Sequence, residues 1–279
     1  MLAWLLARSS GRGFVLRFED LDRVAPGARE SQLHDLQAIG IDWDPPVVDQ
    51  SQRTDSYAAA INDLRSCGLT YECYCTRKEI LEAASAPHGN SAPAGAYRGT
   101  CRDLTDAERA AKAASGRAPA TRLRSQISRC TVQDQFYGDY TGTVDDFVLS
   151  RADGIAAYNL AVVVDDAAQE VDQVVRGDDL LPSAPRQAYL ATLLGHRPPG
   201  YAHVPMIVNR DGVRLAKRDG AITLPELADR GWPAPRVVAA LASSLRLPPR
   251  QSTAELLADF DPTVLPASAW SVEVNQFFR

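Results

Sequence analysis

Apolar residues recur at helical and strand spacing along most of the chain. In the opening segment MLAWLLAR, the residues Leu2, Leu5 and Leu6 share one helix face, and Gly11 or Gly13 is expected to end the helix before a strand in FVLRF. The pattern predicts further helices in GARESQLHDLQAIG, TDSYAAAINDLRSCG and LLPSAPRQAYLATLLG. It predicts strands in LTYECYCT, ATRLRS, DDFVLS and AAYNLAVVVDD. This alternation of helices and strands predicts an α/β fold.

Composition and charge narrow the class of protein. The chain has 279 residues, of which 45% are hydrophobic and 23% charged, which is typical of a globular protein with about two domains. Its apolar run AYNLAVVV is much shorter than the roughly 18 residues of a membrane span, so no membrane segment is expected. The net charge of −5 argues against non-specific coating of nucleic acid but not against a local basic face for a structured RNA. Five cysteines with one C-x-C pair favour a reduced, cytoplasmic chain over a disulfide scaffold.

The segment LRFEDLDR places charged side chains directly after a predicted strand. They are Arg17, Glu19, Asp20, Asp22 and Arg23. In open α/β sheets, ligands bind outside the carboxyl ends of the strands, so these carboxylates could hold an ammonium group or a metal. The alternative is a solvated loop with local ion pairs, and spacing alone favours that alternative.

Three cysteines and a tyrosine have a spacing that suggests a metal site. Cys73 and Cys75 form the C-x-C pair, and Tyr97 and Cys101 follow as Y-x-x-x-C. Zinc prefers four tetrahedral ligands, and thiolates are common among them, although a tyrosine oxygen is unusual. From spacing alone, a reduced cluster without metal is equally compatible with the sequence.

Two later segments offer groups for anionic ligands. Tyr158 lies near the start of the predicted strand AAYNLAVVVDD, and Arg176 lies just after the strand of VVRGDDLL. The two side chains could converge on a carboxylate. The alternative is a core tyrosine and a surface arginine. In NRDGVRLAKRDG, Arg214 and Lys217 lie among glycines and could clamp phosphates, or they could form a basic hairpin tip.

The order of these segments is more specific than any one of them. Over about residues 1–225, the chain resembles the catalytic core of class I glutamyl-type aminoacyl-tRNA synthetases, because the segments occur in the same order as in that core. The segments are GRGFVLRFEDLDR, DQSQR, DDFVLSRADGIAAYNLAVVVDD, VVRGDDLLPSAPRQAYL and RLAKR. Within that class it is most similar to the glutamyl-queuosine tRNA(Asp) synthetase family, which lacks an anticodon-binding domain. The short C-terminal part and the C-x-C…Y-x-x-x-C pattern both favour this family.

The resemblance implies a Rossmann-like parallel sheet, an inserted zinc-binding subdomain and a helical C-terminal part. The implied division is 1–70 for the first part of the catalytic domain, 71–135 for the inserted acceptor-binding and zinc subdomain, 136–200 for the second catalytic part, and 201–279 for a KMSKS-like loop and helical stem-contact region. The family's first strand and HIGH signature precede the helix with which this chain begins. We therefore expect this form to be badly impaired or inactive and to lack a central strand.

The resemblance also implies the activity and the role of each site residue. Glutamate would be activated by ATP, with Mg²⁺, as glutamyl-adenylate and transferred to the queuosine base of tRNA(Asp) by a cytoplasmic monomer. The alternatives are a truncated synthetase that charges tRNA(Glu), and an inactive remnant or binding module. The implied roles are Glu19, Tyr158 and Arg176 for glutamate, Arg214 and the catalytic Lys217 for ATP, and Cys73, Cys75, Tyr97 and Cys101 for structural Zn²⁺.

Overall fold

The computed structural model describes residues 1–22, 24–80, 97–208, 223–265 and 270–271. Its helices are α1 (Leu2–Ser9), α2 (Ala28–Ala38), α3 (Thr54–Ser66), α4 (Asp106–Ala113), α5 (Tyr158–Ala168), α6 (Ala184–Leu193), α7 (Leu224–Asp229), α8 (Ala234–Ser244) and α9 (Thr253–Ala258), with 3₁₀ turns at Gln50–Gln52, Asp178–Ser183 and Pro262–Val264. Its strands are β1 (Val15–Phe18), β2 (Asp44–Asp49), β3 (Thr70–Cys73), β4 (Ala120–Leu123), β5 (Arg129–Asp134), β6 (Gly138–Thr143), β7 (Val148–Ser150), β8 (Gln173–Gly177), β9 (Gly200–Val204), β10 (Ile207–Val208) and β11 (Trp270–Ser271).

The strands form sheets of mixed direction. The sheet orders are β1-β2, β3-β4-β7, β6-β5-β9-β8 and β10-β11. β4 pairs antiparallel with β3 and β7, and β5 pairs antiparallel with β6 but parallel with β9. The predicted α/β class is confirmed, and among the described residues the sheets are mixed rather than wholly parallel.

The chain divides into two compact units. The first contains residues 1–48, 175–179 and 202–279, and the second contains 49–174 and 180–201. The core of the first unit includes Trp4 and Leu5 of α1, together with Val238 of α8 and Leu256 of α9. Leu5 of the predicted apolar face is therefore buried against helices that lie more than 200 residues further along the chain.

Gly40 shows how closely the first unit is packed. Its φ is +77°, a conformation that favours glycine, and a Cβ there would lie 2.6 Å from Oγ1 of Thr253. That hydroxyl donates to the Gly40 carbonyl oxygen at 2.7 Å. The end of α2 is thereby held against the start of α9.

In the second unit, α3, α5 and α6 each bury a large apolar side chain. Leu64, Leu160 and Leu190 are fully or almost fully buried, as are Leu123 of β4 and Leu149 of β7. α5 contacts both α3 and α6. Because α5 packs against two other helices, the position of Tyr158 at its amino terminus is fixed within the second unit.

The predicted strand in AAYNLAVVVDD is wrong, because Tyr158–Ala168 form helix α5. Its residues Leu160, Ala161, Val162 and Val163 are all buried. A helix buried on several sides shows no polar face, so its sequence lacks the 3.6-residue period that identifies a helix, and the valines favour a strand by propensity. Tertiary packing therefore overrides the local preference.

Candidate functional site

The second unit brings together the predicted metal ligands. Sγ atoms of Cys73, Cys75 and Cys101 lie within 4.8 Å of one another. Cys73 is the last residue of β3, whereas Cys75, Tyr97 and Cys101 lie in the segments that follow it. Oη of Tyr97 lies 3.3 Å from Sγ of Cys73 and 3.8 Å from Sγ of Cys75. Residues that are 28 positions apart in sequence therefore form one cluster.

The separations within this cysteine cluster fit a tetrahedral ion. At a metal–sulfur distance of about 2.3 Å, tetrahedral geometry separates two thiolates by roughly 3.8 Å and a thiolate from an oxygen ligand by roughly 3.5 Å. The sulfurs of Cys75 and Cys101 are 3.5 Å apart, and the two Tyr97 distances bracket the second value. The other cysteines, Cys67 and Cys130, are not in the cluster.

Charge and burial act differently on the members of the cysteine cluster. Burial acts to raise the pKa of Cys73, but Tyr97 and Arg122 outweigh it, so this pKa lies below its usual value. Burial and the thiol of Cys101 raise the pKa of Cys75 to about 12, and burial raises the pKa of Tyr97 far above its usual value. Because ligand atoms must lose their protons to bind a metal, metal uptake would release protons here.

Two adjacent carboxylates support the cysteine cluster. Asp146 accepts hydrogen bonds from Tyr71 at 2.8 Å and from Arg102 at 2.6 and 2.8 Å, directly beside Cys101. Asp145 accepts from the backbone N–H of Tyr97 at 3.1 Å and from Nε of Arg186 at 2.6 Å. Side chains that hydrogen-bond to metal-ligand residues, or to the segments that carry them, fix the orientation of those ligands. The pair therefore connects the ligand segments to α6, which carries Arg186.

Arg122 adds a buried positive charge to the same region. It is 6% exposed, and its guanidinium lies 3.7 Å from the ring centre of Tyr97. Its NH1 group donates to the carbonyl oxygen of Asp146 at 2.8 Å. Three thiolates and a tyrosinate around a divalent ion would carry a net negative charge, which this guanidinium would partly offset.

The predicted glutamate-binding residues fall in both units. Glu19 is exposed and immediately follows β1 in the first unit, as expected for a carboxylate at the end of a strand. Arg176 also belongs to the first unit, but it lies within β8 rather than after it. Tyr158 is the first residue of α5 in the second unit and is 40% exposed, so it is not the core tyrosine of a buried strand.

Sequence reasoning missed the partner of Arg176. Nε of Arg176 donates to Nε2 of His203 at 3.0 Å, and His203 of β9 has no exposed surface. The available signal was a single histidine within the apolar strand segment YAHV, which resembles an ordinary core position. The pairing of β8 with β9 brings the two side chains together.

A fully buried carboxylate in α5 was also missed. Asp165 is 0% exposed and accepts hydrogen bonds from Gln50 at 2.9 Å, from Tyr57 at 2.8 Å and from Nε of Arg53. Gln50 and Arg53 belong to the DQSQR segment, so that segment anchors α5. Buried charge is tolerated only where such partners satisfy it.

Several predicted features lie outside the described residues. They are Arg23 and the phosphate-binding segment with Arg214 and Lys217. Among the residues that are described, no helix is both long and apolar enough to cross a membrane.

Comparison with known proteins identifies the family. Residues 1–263 match the family model for the catalytic domain of class I tRNA synthetases (E and Q). A glutamyl-Q tRNA(Asp) synthetase of Nocardia farcinica is 63% identical over 275 residues, covering 99% of this chain and 87% of that protein. A glutamyl-Q tRNA(Asp) synthetase of Cutibacterium acnes is 52% identical over 252 residues, covering 89% of this chain and 71% of that protein.

A solved structure agrees in fold. A glutamate-tRNA synthetase from Elizabethkingia anophelis superposes with a TM-score of 0.79 at 22% identity, over 98% of this chain and 64% of that one. The chain thus spans slightly less than two thirds of that enzyme's length. The matched catalytic-domain model and the high identity along almost the whole chain lead to one conclusion: the chain belongs to the class I tRNA synthetases of the E and Q group, among the glutamyl-Q tRNA(Asp) synthetases.

Proposed function

We propose that the chain is an ATP-dependent ligase that activates glutamate and transfers it to the queuosine base of tRNA(Asp). The observation that carries this proposal is 63% identity over 99% of the chain to a glutamyl-Q tRNA(Asp) synthetase. Membership of the E and Q catalytic-domain family supports the activation chemistry. Tyr158 at the exposed start of α5 and Arg176 beside His203 are compatible with a carboxylate-binding role.

The proposed reaction has two steps. An oxygen of the glutamate α-carboxylate attacks the α-phosphorus of ATP, and pyrophosphate leaves as glutamyl-adenylate forms. A hydroxyl of the queuosine cyclopentenediol then attacks the activated carbonyl carbon, AMP leaves with the bonding electron pair, and the hydroxyl proton is lost to solvent. Catalysis of this kind depends on positioning and charge neutralisation rather than on a covalent enzyme intermediate.

Each substrate group has a proposed partner in the chain. Glu19 would bind the glutamate ammonium group, and Tyr158 and Arg176 would position its carboxylates. Arg214 and Lys217 would bind the ATP phosphates, where Mg²⁺ would neutralise further charge. Arg214 stands where the family's KMSKS loop has its first lysine, so the positive charge is kept.

We propose that the cysteine cluster holds a structural zinc ion through Cys73, Cys75, Tyr97 and Cys101. The fit of the sulfur and oxygen separations to a tetrahedral ion supports this assignment. Bound there, zinc would supply a structural crosslink between β3 and the segment that contains Tyr97 and Cys101. We also propose the division at residues 70, 135 and 200, and a cytoplasmic, monomeric enzyme, in keeping with the family.

The experiment is transfer of radiolabelled glutamate to tRNA(Asp) that either carries queuosine or has guanine at that position. Any transferred label is expected only on the queuosine-containing tRNA, because only queuosine provides the cyclopentenediol hydroxyls. Labelling of tRNA(Glu) by the full chain would contradict the proposal, and so would equal labelling of both forms of tRNA(Asp).

Substitutions at the proposed glutamate site test the assigned residues. Glu19→Gln, Tyr158→Phe and Arg176→Lys should each raise the KM for glutamate more than the KM for ATP. The matched control is Arg197→Lys, since Arg197 is exposed and has no proposed role. If the control moved the KM for glutamate as far as Arg176→Lys, the site assignment would be wrong.

A further inference from the structure

We propose that His203 is a positioning residue for glutamate binding, because its neutral imidazole fixes the guanidinium plane of Arg176. The proposal rests on the proposed role of Arg176 in binding a carboxylate of glutamate. It concerns Arg176 of β8 and His203 of the neighbouring strand β9, and both residues belong to the first unit.

The direction of the hydrogen bond defines the state of the histidine. Nε of Arg176 lies 3.0 Å from Nε2 of His203. Arginine can only donate, so Nε2 must be the unprotonated acceptor, and the imidazole must be neutral with its proton on Nδ1. The imidazole has no exposed surface, so the neutral form also avoids the cost of burying a second charge beside the guanidinium.

Because the guanidinium is planar, the hydrogen bond at Nε also orients the rest of the arginine head group. The guanidinium is rigid and planar, with its terminal N–H groups in a fixed fork. A hydrogen bond at Nε therefore sets the plane and direction of that fork. Bidentate recognition of a carboxylate depends on both, so the histidine acts on the ligand through Arg176.

Side chains also pack closely around the backbone beside Arg176. A Cβ placed on the next residue, Gly177, would overlap the sulfur of Met206 and lie 2.7 Å from Oδ1 of Asp179, so a side chain there would displace both groups. The side chains of Met206 and Asp179 thus lie close to the end of β8, and His203 bonds the head group of Arg176.

The test is binding of radiolabelled glutamate to the full chain by equilibrium dialysis. His203→Leu removes the acceptor at similar volume and should weaken glutamate binding about tenfold, whereas ATP binding should stay unchanged. His203→Gln can present an oxygen near the position of Nε2 and should remain within about threefold of wild type. His203→Asn places its oxygen nearer the position of Nδ1 and should behave like His203→Leu.

A double-mutant cycle separates positioning from a general structural effect. In an Arg176→Lys background there is no Nε to hold, so His203→Leu should change glutamate binding by less than about twofold. Equal effects of His203→Leu in both backgrounds would overturn the positioning role. Thermal unfolding of each variant checks the fold, and if His203→Leu is unfolded, the contrast between His203→Gln and His203→Asn decides the matter.

The outcomes distinguish the two proposals. If Arg176→Lys leaves glutamate binding unchanged, or if the wild-type chain binds no glutamate, the proposed glutamate site itself is wrong. If Arg176→Lys weakens binding but His203→Leu does not, the glutamate site stands and the positioning role of His203 is overturned.

Discussion

Each unit contains an arginine–aspartate network, and the two networks differ in how far they are exposed to water. In the first unit, Arg8 pairs with Asp42 at 2.9 Å and Asp44 at 2.7 Å, and the two aspartate side chains are 72% and 49% exposed. In the second unit, Asp165 is 0% exposed and pairs with Arg53. Water can replace the partners of the first network but not those of the second.

The difference shows that burial, rather than the number of bonds, decides what such a network contributes. Asp42 accepts from Trp4 as well as Arg8, and Asp44 accepts from the backbone N–H of Phe14. Each aspartate of this network therefore accepts at least two hydrogen bonds. Exposed ion pairs contribute little because water screens them, whereas removing one partner of a buried pair leaves an uncompensated charge.

Removal of metal should have the largest effect, since a bound zinc ion would crosslink β3 to the segment that contains Tyr97 and Cys101. Zinc at about 1,000 times its dissociation constant stabilises the folded state by about 4 kcal/mol. Cys101→Ala or a zinc chelator should therefore abolish bound zinc and lower the unfolding temperature, measured by atomic emission and circular dichroism. Cys130→Ala is the matched control. Equal loss of zinc in both variants would contradict the ligand assignment.

Asp165→Ala should destabilise the protein by about 3 kcal/mol or more. The substitution leaves the buried donors of Gln50 and Tyr57 unsatisfied and the Arg53 charge without its partner. Urea unfolding monitored by fluorescence measures the loss. The neighbouring, partly exposed Asp166 provides the control, and Asp166→Ala should cost clearly less. Similar values for both would show that burial does not set the contribution.

Asp165→Asn separates charge from hydrogen bonding at the same position. Asparagine keeps one acceptor oxygen but brings an amide N–H₂ group toward buried donors, so we expect a loss of roughly 1–3 kcal/mol. The same urea titration compares it with Asp165→Ala. A loss as large as that of alanine would mean that the negative charge alone is required.

Arg8→Gln should destabilise less than either Asp165 variant, and its effect should shrink with salt. Ions screen exposed pairs strongly and buried pairs weakly. Unfolding in low and high sodium chloride should therefore bring Arg8→Gln closer to wild type but leave Asp165→Ala unchanged relative to it. A salt-independent effect of Arg8→Gln would place the two networks in the same class.

Acid should remove what remains of the Arg8 contribution. Hydrogen bonds from Trp4 and Arg8 lower the pKa of Asp42, and hydrogen bonds from Arg8 and Phe14 lower that of Asp44. A lowered pKa stabilises the folded state above the usual value of 3.8, and the stabilisation disappears as the pH falls through the folded pKa. Wild type and Arg8→Gln should therefore converge in unfolding temperature at low pH. A difference that persisted there would exclude the two carboxylates as its source.

The cysteine cluster and helix α1 show what could be predicted from the sequence alone. The spacing of Cys73, Cys75, Tyr97 and Cys101 predicted a cluster, and the structure brings these side chains together. The spacing left the metal open, because thiols at ligand distances also occur without an ion. The helix α1 and its apolar face were predicted as well, since the pattern there is local and amphipathic.

The errors have one cause. The segment of α5 was predicted as a strand because its apolar residues face the interior on several sides, which removes the periodic signal. The sequence pattern assigned no role to Asp165 in that helix or to His203 in β9. Their partners, Gln50, Arg53 and Arg176, lie 27 to 115 positions away, where no local pattern can connect them.

The sequence by itself determined the α/β class, the family and the residue types available for chemistry, because these depend on local periodicity and on the order of short segments. Only the tertiary structure decided which charges are buried and which partner each one has. The physical reason is that a carboxylate or imidazole has the same sequence signature in water and in a core, whereas its energy depends on whether water or a protein group satisfies it. That distinction separates Asp165 and His203 from Asp42 and Asp44.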